Sequence, residues 1–249
     1  MNNIKAIFIK QITSLLKNPV LIINGIIFLA IAGAFLIFLS PEDEYDCHSC
    51  IPAYICATCQ EEEDNRFQLP TPSQVGLFAV IFIGLGLMGS ASAQVNEDKT
   101  TTNLRFMAMA EVRPYQYLLG TVTAMIIVVA IMLVPYALLG GYFGTSFFRF
   151  MTIGIFGGLT SILLGIVIGL SKIPIIATPL SILMGMGPAF STFNERVANL
   201  LRFTFIQQVN IAFSDLEVNL SSSFLIIGAN FAIVLLVFIV MHRKNRFNL

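Results

Sequence analysis

The chain has 249 residues, of which 56% are hydrophobic and only 11% charged, and its formal net charge at neutral pH is zero. Soluble domains carry about 25% charged residues, so this composition excludes a soluble enzyme and a disordered chain alike. With 14 basic residues balanced by 14 acidic ones there is no global basic field, and nucleic acid is not an expected partner.

A bilayer core about 30 Å thick is crossed by about 20 apolar residues in a helix. Before the first such run, residues 2 to 17 form an amphipathic stretch. Ile4, Ile7, Phe8, Ile12 and Leu15 fall on one face, with Lys10, Thr13, Ser14 and Lys17 on the other. This predicts either a helix lying in the cytoplasmic interface or a simple positive anchor, with Pro19 turning the chain into the membrane. Six spans are expected, at about 20–39, 75–93, 118–139, 147–170, 173–190 and 224–241. The first apolar run is too long for a signal segment and lacks a small-x-small exit, so no cleaved leader is expected. The expected fold is therefore an all-α polytopic membrane protein, a single transmembrane domain over residues 1–249.

Lysine and arginine set the orientation. With the N-terminus inside, the inner segments hold ten basic and three acidic residues, a balance of +7. The outer segments hold four basic and eleven acidic residues, a balance of −7. Both termini are thus expected in the cytoplasm. Glu97, Asp98 and Glu111 are the three inner acids, placed in a solvated loop over 94–117.

The connections differ in character. The outer loop 40–74 is acidic and holds all four cysteines, Cys47, Cys50, Cys56 and Cys59, with His48 beside them. Two C-x2-C pairs could hold zinc or another thiophilic metal, but oxidation is the commoner fate on an outer face. Two disulfides and no metal are expected. Pairing Cys47 with Cys59 and Cys50 with Cys56 would make a hairpin staple, with three connectivities open. The connection 140–146 reads as a short turn. The outer stretch 191–223 mixes apolar Val197, Leu200, Leu201, Phe205 and Val209 with polar neighbours. It predicts a short helix or a re-entrant pair, whose backbone must be buried against protein or a cavity.

The loop over 94–117 carries the most specific pattern. It runs Glu97-Asp98-Lys99-Thr100-Thr101-Thr102-Asn103-Leu104-Arg105-Phe106-Met107-Ala108-Met109-Ala110-Glu111-Val112-Arg113-Pro114 and continues to Leu118-Leu119-Gly120. An acidic start, a short helix, a proline turn and a hydrophobic helix near Leu-Leu-Gly resemble the cytoplasmic loop of type-2 ABC transporter permeases. Glu97 matches that family's loop glutamate, Leu104 to Ala110 its coupling helix, and Pro114 and Gly120 its proline and following glycine. Thr101-Thr102 stands where the family often has Gly-Thr. The amphipathic start, six spans, long first outer loop and re-entrant outer segment resemble the family over the whole chain.

The resemblance implies a permease subunit of an ATP-driven exporter, working as half of a homo- or heteromeric pair in the bacterial cytoplasmic membrane. It implies coupling through Glu97, Leu104, Arg105, Phe106, Met107, Met109, Glu111, Arg113 and Pro114. Independently of that family, a short helix with apolar Leu104, Phe106, Met107 and Met109 can seat in a partner's groove, with Arg105, Glu111 and Arg113 fixing its register. The chain has no Gly-x-x-x-x-Gly-Lys-Ser/Thr loop and so no such ATP site. ATP and magnesium are expected on a separate nucleotide-binding ATPase subunit, with no cofactor and no enzymatic activity on this chain.

Inside the spans, Gly154 with Gly158 and Gly165 with Gly169 mark close helix approaches. Pro179, Gly185, Gly187 and Pro188 make the fifth span breakable. No carboxylate falls within a span, and Ser161 and Asn230 are the few polar residues at mid-depth. An amphipathic substrate such as a peptide, drug or lipid-like molecule fits this better than a small ion. The alternatives are a membrane thiol-disulfide oxidoreductase using the outer C-x2-C pairs, a subunit of a sensing or self-protection complex, and a carbohydrate exporter.

Overall fold

The computed structural model describes residues 2–17, 20–39, 71–101, 109, 114–171, 176–214 and 220–244. Every regular element among them is helical. In chain order these are α1 (Asn2–Lys17), α2 (Val20–Leu39), α3 (Thr71–Ile81), a π-helical turn (Phe82–Leu87) and α4 (Met88–Thr100). Then follow α5 (Pro114–Leu139), α6 (Thr145–Leu170), α7 (Ala177–Phe193), α8 (Glu195–Leu201), α9 (Phe205–Ser214) and α10 (Leu220–Lys244).

Four helical stretches among the described residues are long and apolar enough to cross a membrane: Gln74–Thr100, Tyr115–Leu139, Thr145–Leu170 and Ser221–Met241. The first expected span falls on α2, whose apolar portion is counted as Leu21–Ala34. The fifth falls on α7, which has only 17 residues. Burial separates the four by position. The 18-residue apolar windows within Gln74–Thr100 and Thr145–Leu170 are 72% and 67% buried and form the centre, whereas that within Ser221–Met241 is 11% buried and lies at the periphery.

Close contacts give the helix directions. Gly165 lies against Met88 and Ala91, and Gly169 against Ser92 and Val95, so α4 and α6 run parallel. Leu133 meets Gly154 and Val129 meets Gly158, so α5 and α6 run antiparallel. These glycine pairs pack within the chain, and small residues let the backbones approach closely. The turn between α5 and α6 spans Gly140 to Gly144, where Gly141 and Gly144 take φ of 69° and 61°. Side chains with a Cβ are strained there, which suits the two glycines. Tyr142 folds back from this turn and donates its hydroxyl to the Phe213 carbonyl at 3.2 Å.

The break in regular α-helix falls elsewhere than in the fifth span. α7 is continuous through both Pro179 and Pro188. Pro179 lies in the first turn, where backbone N–H groups have no intrahelical partner in any case. The irregularity is instead the π-helical turn Phe82–Leu87, where the second span widens. Ser161 of α6 donates to the Ile83 carbonyl at 2.6 Å, satisfying backbone at that turn. On its other side a Cβ on Gly84 would stand 2.7 Å from the Gly185 Cα, so α7 crosses there in backbone contact.

Within the stretch 191–223, expected to be a short helix or re-entrant pair, the described residues form α8 and α9 between the end of α7 and the start of α10. No residue of α8 is buried, whereas most of α9 is. Its polar residues are tied down. Gln207 Oε1 accepts from Ser191 at 3.0 Å, Gln208 Oε1 accepts from Ser223 at 3.0 Å, and Gln208 Nε2 donates to the Arg202 carbonyl at 2.6 Å. The two polar residues expected at mid-depth are also structural. Asn230 donates to the Phe203 and Ile226 carbonyls, both at 2.9 Å, and Ser161 makes the bond to Ile83.

Candidate functional site

Ile7, Gln11 and Leu15 stand four residues apart on α1, and all three are buried. This face does more than float α1 on a membrane surface. Ile7 seats against Gly120 of α5 and clusters with Tyr117 and Leu170, while Leu15 joins the main core. Gln11 sits between them at 1% exposure. A buried amide must find partners, and these come from α4 and α5.

The partner group is Asp98. The helix of the second span does not end at residue 93 but continues to Thr100, which carries the acidic cluster back into the protein. Asp98 is therefore not a solvated loop residue but is 5% exposed. Its carboxylate accepts from Lys10 Nζ at 2.6 Å, from Gln11 Nε2 at 3.2 Å and from the Tyr117 hydroxyl at 2.9 Å. Gln11 Nε2 also donates to Thr121 Oγ1 at 3.2 Å, and Gln94 Nε2 donates to Gln11 Oε1. A buried carboxylate is tolerable only when paired and fully hydrogen-bonded, and three donors from two other helices meet that condition.

Its neighbours on α4 point elsewhere. Lys99 donates to the Gly169 carbonyl at 3.2 Å and to the Ser171 carbonyl at 2.9 Å. These are carbonyls at the C-terminal end of α6, where a cation is favoured by the helix dipole. Glu97 is exposed. The backbone amide and hydroxyl of Thr101 both donate to the Glu97 carbonyl, at 2.9 and 2.7 Å, and so end the helix.

The consequence is a platform. The segment 101–113 leaves from α4 and returns into α5, and at its base α1, α4, α5 and α6 are joined by Lys10, Gln11, Asp98, Lys99 and Tyr117. Of the residues expected to couple to an ATPase, Glu97 lies on α4 rather than in a loop, Pro114 begins α5, and Met109 is 71% exposed. Leu104, Arg105, Phe106, Met107, Glu111 and Arg113 lie outside the described residues, as do Cys47, Cys50, Cys56 and Cys59. Among the described residues no group of His, Cys, Asp or Glu is placed to hold a metal ion.

Lys10 entered the sequence reading only as a solvated face residue, and Gln11, Gln94, Tyr117 and Thr121 did not enter it as site residues. Two signals pointed to them. Gln11 interrupts the apolar row Ile7-Gln11-Leu15, and Gln94 and Asp98 are four apart on one helix face.

Compared with protein families, curated proteins and solved structures, the chain matches none. The geometry of this junction and the sequence of the segment above it therefore carry the functional reading.

Proposed function

We propose that this chain is the membrane-spanning permease subunit of a type-2 ABC exporter, moving an amphipathic peptide, drug or lipid-like substrate outward. A separate nucleotide-binding subunit supplies ATP hydrolysis with magnesium, and a second permease subunit completes the pathway. In this reading α2 and α7 also cross the bilayer, giving six spans with both termini in the cytoplasm of a bacterial cell. The outer cysteines close two disulfides.

One observation carries the proposal: the segment that resembles a coupling helix is mounted on the most tightly cross-linked polar junction among the described residues. Force applied to 101–113 enters α4 and α5 together, and Asp98, Lys10 and Lys99 pass it to α1 and α6. The π-helical turn at Phe82–Leu87 lies further along the same helix, where α7 crosses in backbone contact through Gly185. π-turns recur at functional sites in helices, and a crossing of glycine on glycine offers little side-chain interlock against sliding. Displacement at the base of the second span thus reaches a deformable point at mid-depth. Such a path suits alternate opening toward the two sides of the membrane.

The decisive experiment is the double variant Arg105→Glu with Met107→Asp. The variant chain inserts and folds but no longer co-purifies with, or stimulates, its nucleotide-binding partner, because docking would bury an unpaired charge. The single truncation Met107→Ala weakens docking by about 1–2 kcal/mol and survives in a large interface. Unchanged ATPase binding and transport in the double variant would remove the proposal.

A further inference from the structure

We propose that Arg202 holds the anionic group of an amphiphile, a carboxylate or a phosphate, near the middle of the apolar thickness of the bundle. The residue sits at the bend of a helical hairpin. α8 ends at Leu201, α9 begins at Phe205, and residues 202–204 turn between them.

Contacts with three helices fix the depth of that bend. The Phe203 carbonyl accepts from Asn230, which stands nine residues inside the Ser221–Met241 span. Leu201 lies against Gly187, six residues before the end of α7 at Phe193. Phe213 lies against Gly154 and Val209 against Gly157, so α9 runs antiparallel to α6 and its first residues are the deepest. Nine helical residues rise about 13 Å, close to half of an apolar core about 30 Å thick. An arginine side chain reaches about 7 Å over its six bonds from Cα, so Arg202 does not regain the membrane surface by stretching toward it.

By sequence Arg202 is one of the four outer basic residues, and the hairpin carries it inward. Its side chain is exposed, and the guanidinium has no hydrogen-bond or ion-pair partner among the described residues. Its backbone is held instead, the carbonyl accepting from Gln208 Nε2. A charged side chain at mid-depth is costly, and such residues pair with an opposite charge or mark a substrate path.

The neighbours of Arg202 select the kind of anion. Leu200 and Phe203 are 79% and 73% exposed beside it, while Leu201 turns inward to Gly187. The planar guanidinium offers paired N–H donors that match a carboxylate or a phosphate. One charge flanked by two uncovered apolar side chains suits a molecule with one anionic group and a hydrocarbon body. A neutral ester of the same length has the body but not the charge-assisted pair. The inference stands apart from the permease reading, because binding here needs neither an ATPase nor transport.

The chain contains no tryptophan, so Phe203→Trp supplies a single fluorescent reporter beside Arg202. In phosphatidylcholine nanodiscs, lipids brominated near the ends of their chains are expected to quench this reporter more than lipids brominated near the headgroup. The reverse order would put the bend at the surface and overturn the inference. Binding is measured in maltoside micelles, which hold no phosphate or carboxylate, with 9,10-dibromostearate and dibrominated phosphatidylglycerol as probes. Saturable quenching is expected, whereas the methyl ester of dibromostearate should quench without saturation. Arg202→Gln weakens the saturable component by about tenfold, and Arg202→Lys, which keeps the charge without the fork, by less. Arg202 is exposed, so both variants are expected to fold.

Competition distinguishes the two sources. Stearate binding that unbrominated phosphatidylglycerol does not reverse identifies a free single-chain amphiphile as occupant. Phosphatidylglycerol binding that stearate does not reverse identifies a lipid headgroup, and mutual displacement identifies a site that takes either. No saturation by either probe, equal quenching by the methyl ester, or unchanged affinity in Arg202→Gln would each mean that water or the protein itself meets the charge, and would overturn the inference.

Discussion

At the end of the bundle where α1 docks, the helices are joined by a lysine, a carboxylate, two glutamines and a tyrosine. At the opposite end, where the α5–α6 turn meets α9, they are joined by stacked rings. Phe150 lies between Tyr142 and Phe213, with ring centroids 4.8 and 4.1 Å apart and interplanar angles near 20°. All three side chains are buried. The attraction between the rings does not depend on charge. The hydrogen bonds around Asp98 can be exchanged for others or for water, and half-exposed Lys10 already touches solvent. One end is a fixed point and the other is a joint, and the expected coupling segment is attached to the joint.

The sharpest way to break this contrast is at the fixed end. Phe213→Ala opens a cavity between Phe150, Tyr142 and Gly76, and is expected to lower stability by about 3–5 kcal/mol. The loss should be the same at low and high salt, because no charge is involved. Unfolding of the purified chain in mild detergent measures it. A loss below about 1 kcal/mol would mean that α9 is not held by this stack.

A smaller and different effect is expected at the joint. Asp98→Asn keeps the shape of the side chain but removes the charge that Lys10 and Tyr117 face. The cost is about 1–3 kcal/mol, reduced by the access of Lys10 to water. Protection of the α1 amides from hydrogen exchange should fall while the α9 amides stay protected. If both regions lose protection together, the two ends are not separable and the joint reading fails.

The difference between the ends also explains what was legible in the sequence. Long apolar windows located the helices, because the cost of unpaired backbone in lipid leaves them no alternative structure. The stack at the fixed end was not legible. It joins residues 142, 150 and 213, and no local pattern links them. The joint was half legible. Glu97-Asp98-Lys99 looks like a solvated run, yet each of the three faces a different environment because successive helix positions are about 100° apart. The burial of Asp98 depends on α1 arriving with Gln11 and Lys10, a contact across nearly ninety positions of chain. The π-helical turn left no sequence mark beyond Gly84 and Gly86. The prolines of α7 marked the wrong helix: Pro179 is mild because it lies in the first turn, and Pro188 is carried inside a helix that continues to Phe193.

The smallest effect tests whether the fixed end is as dry as its rings imply. Tyr142 donates its hydroxyl to the Phe213 carbonyl, and burial pushes its pKa up to about 12. Tyr142→Phe keeps the ring and removes only that bond, so at neutral pH the variant should be less stable by about 0.5–1.5 kcal/mol. The pH dependence has a definite sign. An unfolded tyrosine ionises near pH 10, whereas the folded one stays neutral to higher pH. Unfolding therefore releases a proton in that window, and the contribution of Tyr142 to stability is complete below pH 10 and is lost as pH rises toward 12. Phenylalanine has no such proton. The stability gap between the native chain and the variant should accordingly be constant from pH 7 to 9 and close between pH 10 and 12. A gap that stays constant to pH 12 would place the hydroxyl in contact with water and make the aromatic end as wet as the polar one.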